Sequence, residues 1–235
     1  MRRVTVVGHR GDPYVARENT LPSLRAAIDR GADAVEVDVR LTRDGVPVLL
    51  HDDTLERLWG HDRPLARLSH AQLNGLTSGG VPTLEEALAA VGGHRLMLDL
   101  PGADEAAVRT IIGAVHGSGA ADRVYYTGGP VGMLAVRDTD PDAEIALTWT
   151  TLAPPRPVLL ASLRPRWLNY RFGLVSRELA NRVHASGYLL SVWTADTRGT
   201  MRRLVGRGVD SITTNRVDAL TRVLRGSRTG KGHTS

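Results

Sequence analysis

The sequence predicts an α/β fold, a (β/α)8 TIM barrel with a small insertion after the second strand. Three observations carry this expectation. Eight short runs rich in β-branched and apolar residues alternate with helical patterns. The chain has 235 residues, and single barrels of this kind run to ~250. The Gly-rich dinucleotide fingerprint of the competing open, doubly wound sheet is missing.

The elements follow in order. Val4-Thr5-Val6-Val7 is a β-branched run that marks a buried strand. Thr20 then stands as a helix cap with Pro22 in the first turn, where its missing N–H costs nothing. Leu21, Leu24, Ala27 and Ile28 recur at helical spacing until Gly31 stops the helix. In Ala34 to Leu41 the residues Val35, Val37, Val39 and Leu41 share one strand face, and Glu36, Asp38 and Arg40 share the other. Asp44-Gly45 is a hairpin turn signal, and Val46 to Leu50 is the returning strand, ending at His51.

Residues 52–80 read as a polar, loop-like insertion with a short helix over Ser69 to Leu76. Thr83 and Glu86 have capping-box spacing and open a helix that reaches Val91. Further strands are expected at Arg95–Leu100, Arg123–Thr127, Glu144–Trp149, Trp167–Tyr170, Tyr188–Trp193 and Asp210–Thr213. Helical patterns include Asp104–Gly117, Val175–Ser186, Thr197–Val205 and Val217–Leu224. Residues 1–225 thus form one expected barrel domain, and 226–235 read as a flexible tail.

Composition narrows the function classes. Hydrophobic residues at 42% and charged residues at 23% argue against disorder along the whole chain. The absence of cysteine excludes disulfides, thiolate metal sites and thiol nucleophiles. Aromatics at 4% argue against a stacking platform for single-stranded nucleic acid. The apolar run after Met1-Arg2-Arg3 is only Val4 to Val7, too short for a secretory leader or a membrane span, so a cytoplasmic protein without a stable membrane anchor is expected. The formal net charge is +5, and Lys231 is the only lysine. Residues 1–150 carry 15 basic and 21 acidic groups, whereas residues 151–235 carry 15 and 4. A basic half beside an acidic site can draw in an anionic substrate; the other reading is a solvated arginine surface. The arginines are dispersed, and no nucleic-acid partner is expected.

Barrel enzymes carry their chemistry at the C-terminal strand ends. His9-Arg10 closes the first expected strand, Glu36-x-Asp38 the second and Asp99 the third. Glu36 and Asp38 point to one face, so either one is protonated or a cation sits between them. Hard oxygen ligands select Mg²⁺ or Ca²⁺, and Asp99 on the neighbouring strand is a candidate third ligand. A two-residue Asp44-Gly45 loop sets His51 opposite Asp38; a three-residue bulged loop shifts that register. His9 and His51 are the candidate acid and base. Arg10 offers a fixed cationic fork for phosphate oxygens, or alternatively a structural ion pair with Glu18. His94, His116 and His184 read as core histidines, and His61 and His70 as loop surface. A divalent cation, an arginine and two histidines, with no serine elbow, Walker loop or thiol, fit cleavage of a phosphodiester.

Gly8-His9-Arg10-Gly11, Glu18-Asn19-Thr20, Glu36-Val37-Asp38-Val39, Thr42 to Val48 and His51-Asp52 together resemble the glycerophosphodiester phosphodiesterase family. Val81 to Glu86, Val192-Trp193-Thr194 and Gly208 to Thr214 echo its later motifs. The resemblance implies a (β/α)8 barrel with an insertion after the second strand. It implies one divalent cation, Mg²⁺ or Ca²⁺, on Glu36, Asp38 and Asp99, with His9 and His51 as the acid/base pair. It places Arg10 on the phosphate, with Glu18 in the same substrate-binding group, and Trp193 on the glycerol or alcohol part; Trp193 also reads as a barrel-top packing residue. The family usually has a glutamate, one residue and a lysine after the third strand, where this chain has Asp99-Leu100-Pro101. Arg171 and Arg95 are the candidates to replace that lost charge. Asn215-Arg216 stands where the family has an acid and a proline, and reads as a structural change.

The expected function is metal-dependent hydrolysis of glycerophosphodiesters to glycerol 3-phosphate and an alcohol. Two other readings stand beside it. One is a lyase that forms a cyclic phosphate from lysophospholipid-like diesters. The other is a non-catalytic binding module for phosphoryl ligands or nucleic acid, suggested by Pro101 and the basic C-terminal half.

Overall fold

The computed structural model describes residues 3–229. Strand β1 (Thr5–His9) leads into helix α1 (Leu21–Asp29) and strand β2 (Ala34–Leu41). The insertion holds β3 (Pro47–Leu49), β4 (Thr54–Leu55), α2 (Glu56–Trp59), β5 (His61–Pro64) and α3 (His70–Thr77), and α4 (Leu84–Ala90) follows it. Strand–helix pairs then repeat: β6 (Arg95–Asp99) with α5 (Glu105–Gly117), β7 (Val124–Gly128) with α6 (Pro130–Thr139), and β8 (Glu144–Trp149) with α7 (Pro157–Leu163). The series ends with β9 (Trp167–Arg171), α8 (Arg177–Ala185), β10 (Leu189–Trp193), α9 (Arg198–Arg207), β11 (Ser211–Thr214) and α10 (Val217–Thr229).

Eight of these strands are parallel and close on themselves, because β1 pairs with both β2 and β11. The expected barrel is therefore present. Strand alternation decides which side chains fill it. Val35, Val37 and Val39 are fully buried under the surrounding helices, each burial worth about 1.5–3 kcal/mol. That face cannot turn inward without exposing them to the polar interior, so Glu36 and Asp38 point into the barrel. Val7, Ala34, Met97, Tyr125, Ala146 and Trp167, from six different strands, form a separate cluster that plugs the lower interior. Above it, the Asn169 amide donates to Thr127 Oγ1 at 3.2 Å and to Thr148 Oγ1 at 3.1 Å.

Local expectations were met unevenly. The Thr83–Glu86 capping box forms, and Ser69 with Gln72 forms another. Thr20 occupies the N-cap of α1, but its hydroxyl donates to Arg17 O at 2.6 Å and caps nothing. The two-residue hairpin is corrected: Val39 pairs with Leu49, Arg40 with Val48 and Leu41 with Pro47, so Asp38 does not face His51. The loop is three residues long, with Gly45 in the left-handed region at φ +80°. Thr42 holds it open, accepting from Val46 N at 3.0 Å and donating to Asp44 Oδ1 at 2.6 Å. Asp44 in turn accepts from the backbone of His70 at 2.9 Å.

The insertion is more ordered than a loop, since Val48, Leu50, Leu55, Leu65, Leu68, Leu73 and Val81 give it a core of its own. Its β4–β5 hairpin is too short to show a sequence period. Proline in the first turn starts α6 and α7, two helices not read individually from the sequence. His94, His116 and His184 are all exposed rather than core, and His184 pairs with Asp210 at 2.6 Å. Helix α10 extends to Thr229, into the segment read as a tail; residues 230–235 lie outside the described residues. Among the described residues no helix is long and apolar enough to cross a membrane.

The lower end is sealed by Glu144. It accepts from Trp167 Nε1 at 2.8 Å and pairs with Arg95 at 2.8 Å and Arg166 at 2.9 Å. Burial alone raises its carboxyl pKa, but the hydrogen bonds from Arg95 and Trp167 win and hold it below the usual range. A depressed carboxylate stabilises the fold above its unfolded pKa and loses that contribution as pH falls through its folded value. Glu144→Gln should cost about 1–2 kcal/mol at neutral pH. Denaturant titrations should show this difference closing as the pH drops below the ordinary glutamate range.

Candidate active site

The mouth of the barrel begins with an unusual turn. Arg10 follows β1 in the left-handed region at φ 55°, a conformation costing a non-glycine residue about 1–3 kcal/mol. The turn aims the Arg10 N–H at Glu36 Oε2, 2.9 Å away. The Arg10 carbonyl accepts from Asn19 N at 3.0 Å and from Ser23 Oγ at 2.9 Å. Gly11 lies at φ +89°, and a Cβ there would come within 2.3 Å of Ser23 Oγ. The Gly-His-Arg-Gly order is thus a folding requirement as well as a chemical one.

Two strands, β2 and β6, bring the acids together, and β1 sets His9 beside them. His9 is in register with Glu36, and Asp38 with Asp99. Glu36, Asp38 and Asp99 each offer a carboxylate oxygen within 4.8 Å of the others. Burial pushes the Glu36 carboxyl well up, with Asp38 and then Asp99 adding to it. Asp99 is pushed up to about 6, first by burial and then by Asp38. These are hard oxygen donors whose mutual repulsion a cation would relieve, so the set fits a divalent ion of the Mg²⁺ or Ca²⁺ type.

Arg10 is the cation already present. Its Nε lies 3.0 Å from Asp38 Oδ2 in an ion pair not aligned as a hydrogen bond. Its Nη1 donates to Glu18 Oε1 at 2.9 Å. The ion pair with Glu18, raised from sequence as an alternative to phosphate contact, therefore exists, while Nη2 has no protein partner among the described residues. Asn19 supports the other flank, donating through Nδ2 to Asp38 Oδ2 at 2.8 Å.

The two histidines have different surroundings. Asn215 Oδ1 lies 2.8 Å from His9 Nδ1. The Asn215 amide nitrogen donates to Asp196 Oδ2 at 2.8 Å. A carboxylate only accepts, so the amide is oriented and the His9 proton sits on Nδ1. The His9 Nε2 lone pair then faces the acids, 3.9 Å from Glu36 Oε2. Burial, followed by the charge of Arg10, lowers the His9 pKa and keeps the ring neutral.

His51 Nδ1 instead lies 2.7 Å from Asp52 Oδ1. Burial would raise the Asp52 carboxyl, but hydrogen bonds from Arg57 and His51 bring it below its ordinary value. Arg57 donates to Asp52 Oδ2 at 2.5 Å and to Glu18 Oε1 at 2.6 Å. A continuous chain thus runs from Asp38 through Arg10, Glu18, Arg57 and Asp52 to His51.

The Glycerophosphoryl diester phosphodiesterase family profile matches residues 9–219, nearly the whole barrel. The chain belongs to this family and is a phosphoric diester hydrolase. A glycerophosphodiester phosphodiesterase from Caldanaerobacter subterraneus is 26% identical over 248 residues, covering 95% of this chain and 98% of the relative. A phosphodiesterase from Oleispira antarctica, solved in complex with the product sn-glycerol-3-phosphate, superposes with a TM-score of 0.86 at 22% identity, covering 94% of this chain and 96% of the other. The glycerophosphodiester phosphodiesterase structure from Thermotoga maritima gives 0.79 at 22% identity, covering 95% and 99%.

Within this glycerophosphodiester phosphodiesterase the structure places the remaining expected residues unevenly. Trp193 ends β10, half-buried, with an indole N–H that has no partner among the described residues. Arg95 starts β6 and is bound to Glu144 at the lower end, so it cannot serve the mouth. Arg171 ends β9 on the face of Asn169, in register with Trp193, and is exposed. Sequence reasoning missed Asn215, Asp196, Asn19 and Arg57. Asn215 was read as structural, yet it holds the His9 ring from 206 positions away; only the Asp196–Asn215 placement at neighbouring strand ends hinted at it.

A divalent cation should raise the melting temperature of the metal-free protein. Because Asp99 is held near 6, protons compete below that value, so Mg²⁺ or Ca²⁺ should stabilise strongly at pH 8 and little at pH 5. Asp99→Asn should abolish most of the stabilisation; an unchanged response in thermal melts at both pH values would remove the cation from this site.

Proposed function

We propose that this enzyme hydrolyses glycerophosphodiesters to glycerol 3-phosphate and an alcohol, with His9 as general base and His51 as general acid. The observation that carries the assignment is the pair of opposite histidine environments. His9 is neutral, with its proton held on Nδ1 by the oriented Asn215 amide. Its Nε2 is then available to take a proton from the attacking water or substrate hydroxyl. His51 has an ionised carboxylate against its Nδ1. Asp52 accepts from that Nδ1–H and holds the ring in place, and in this reading His51 gives the proton to the leaving alkoxide.

Arg10 holds the substrate phosphate through the part of its fork not engaged by Glu18 and Asp38. Glu18 fixes that fork and links it to Arg57. Glu36, Asp38 and Asp99 hold the divalent cation, which supplies charge neutralisation and Lewis acidity at the phosphoryl group when bound. Trp193 lines the alcohol or glycerol side. The product seen in the Oleispira antarctica relative supports glycerol 3-phosphate as the product here. A single catalytic domain over residues 1–225 and a cytoplasmic location belong to the same reading.

Pro101 leaves one cation fewer near the phosphate than the family pattern has. It lines a cavity of about 470 Å³ between the β2–β3 hairpin and the start of α5, together with Arg40 and Arg43. Arg40 is committed to the His51 carbonyl at 2.8 Å. Arg171, at a strand end on the inner face and without a side-chain partner among the described residues, is the residue left to supply the missing charge.

His9→Ala should remove nearly all turnover of glycerophosphocholine, and a chelator should do the same to the wild type until Mg²⁺ or Ca²⁺ is restored. Equal turnover by the two proteins sinks the assignment. Asn215→Leu should lower kcat up to about 100-fold with little change in KM, the low end of what a positioned base supplies. Arg171→Gln should lower kcat/KM about tenfold, as loss of one exposed cationic contact to phosphate. Steady-state kinetics on the three variants, with ³¹P detection of product, checks both the size of each effect and whether glycerol 3-phosphate or a cyclic phosphate accumulates.

A further inference from the structure

The exposed apolar side chains are not scattered. Among the described residues five large ones are at least half exposed: Tyr14 at 65%, Val15 at 50%, Val131 at 85%, Leu152 at 63% and Val158 at 70%. Tyr14 and Val15 lie in the loop after β1 and Leu152 in the loop after β8. Val131 and Val158 lie in the first turns of α6 and α7, directly after β7 and β8. In a parallel barrel each of these segments sits at the C-terminal end of its strand, so all five rim the mouth. None lies on the connections at the lower end.

The same arc carries exposed cations as well. Arg171 ends β9, and Arg156 and Arg198 follow β8 and β10; all three are exposed and, like Arg25 and Arg63 elsewhere, have no side-chain partner among the described residues. Arg216, after β11, lies over the Tyr14 ring at 4.8 Å. Going round the barrel from β7 to β1, the rim therefore reads apolar, then arginine, then apolar. The acids on this arc are mostly engaged, Asp196 by Asn215 and Asp218 by Arg216 and Arg222; Glu178 is the exposed exception. The opposite rim carries the insertion, where exposed Glu56 and Asp62 alternate with exposed Arg57, Arg63 and Arg67, so it is mixed in charge.

We propose that this arc is a peripheral docking surface for an anionic lipid bilayer. The apolar tips enter the headgroup region, and the arginines lie over lipid phosphates, which brings the mouth down onto the surface. The chemistry selects this occupant. A nucleic acid would use the arginines but leave the apolar tips exposed to no purpose. A second copy docked by the same face would set arginine against arginine. The surface stands on its own residues; only the idea that it serves substrate capture rests on the hydrolase reading above. The association is weak and reversible, because no tip is a long apolar segment.

Vesicle flotation tests it with the full chain. Vesicles of phosphatidylcholine alone should leave the protein behind, and vesicles with about one-third phosphatidylglycerol should carry it up at low salt. The pair Arg156→Gln with Arg198→Gln should lower the partition coefficient about 30-fold, and Leu152→Ser with Val158→Ser about tenfold. Hydrolysis of free glycerophosphocholine should be unchanged in both double variants, showing that they fold. Absence of flotation, flotation indifferent to both pairs, preference for an oligonucleotide over the vesicles, or dimerisation through this face would each overturn the proposal. A wild type that floats as described but does not hydrolyse glycerophosphocholine would uphold the surface and defeat the hydrolase mechanism instead.

Discussion

Three carboxylates buried side by side at a barrel mouth repel one another, and much of the surrounding chain is arranged to tolerate them. Glu36, Asp38 and Asp99 bring their oxygens within 4.8 Å. Placing a charge in such a site costs several kcal/mol per ion, which is comparable with the whole stability of a typical domain, roughly 5–15 kcal/mol. The compensation is specific. Glu36 receives the N–H of Arg10. Asp38 receives the amide of Asn19 and lies against the Arg10 guanidinium. The left-handed backbone of Arg10 and of Asn19 is the strain accepted to aim those donors. Burial, and then the repulsion that remains, raise Glu36 and Asp99, and a divalent cation would relieve both.

The barrel was legible because its strongest signals are local. Alternation in Ala34–Leu41 identified both the buried valine face and the inward acids, and caps such as Thr83 with Glu86 marked helix starts without any tertiary information. The hairpin register was not legible, because it depends on Asp44 reaching the backbone of His70, 26 positions away. Asn215 and Arg57 escaped for the same reason: their roles exist only through partners 206 and 39 positions distant. The choice between Arg95 and Arg171 needed less. One begins its strand and the other ends its strand, and in a parallel barrel that alone assigns them to opposite ends.

The arginine-rich composition divides along the same axis. Many arginines act as donors to the fold. Arg137, nearly buried, donates to the carbonyls of Leu163 at 2.9 Å and Ala143 at 2.8 Å. Arg177 and Arg207 close the loops around α8 and α9 through Gly206 O and Val175 O. Arg95 and Arg166 neutralise Glu144 at the lower end. Other exposed arginines, such as Arg25 and Arg63, also lack a side-chain partner among the described residues; what sets Arg156, Arg171 and Arg198 apart is their place at the mouth, beside exposed apolar tips.

The site also shows how one barrel can hold two imidazoles in different surroundings. The difference lies in what each Nδ1 meets. A neutral amide oxygen fixes the His9 tautomer without supplying charge, so burial and the neighbouring Arg10 prevail and the ring stays neutral. At His51 a carboxylate oxygen stands against Nδ1 instead, so that ring meets a full charge where His9 meets a neutral amide. Asp196 could have played the carboxylate's part for His9 had it reached the ring itself. By acting through Asn215 it passes on orientation and withholds most of its charge. An aspartate at position 215 would abolish that distinction and set two acids against each other, so the asparagine is the residue on which the difference between the two rings' surroundings depends.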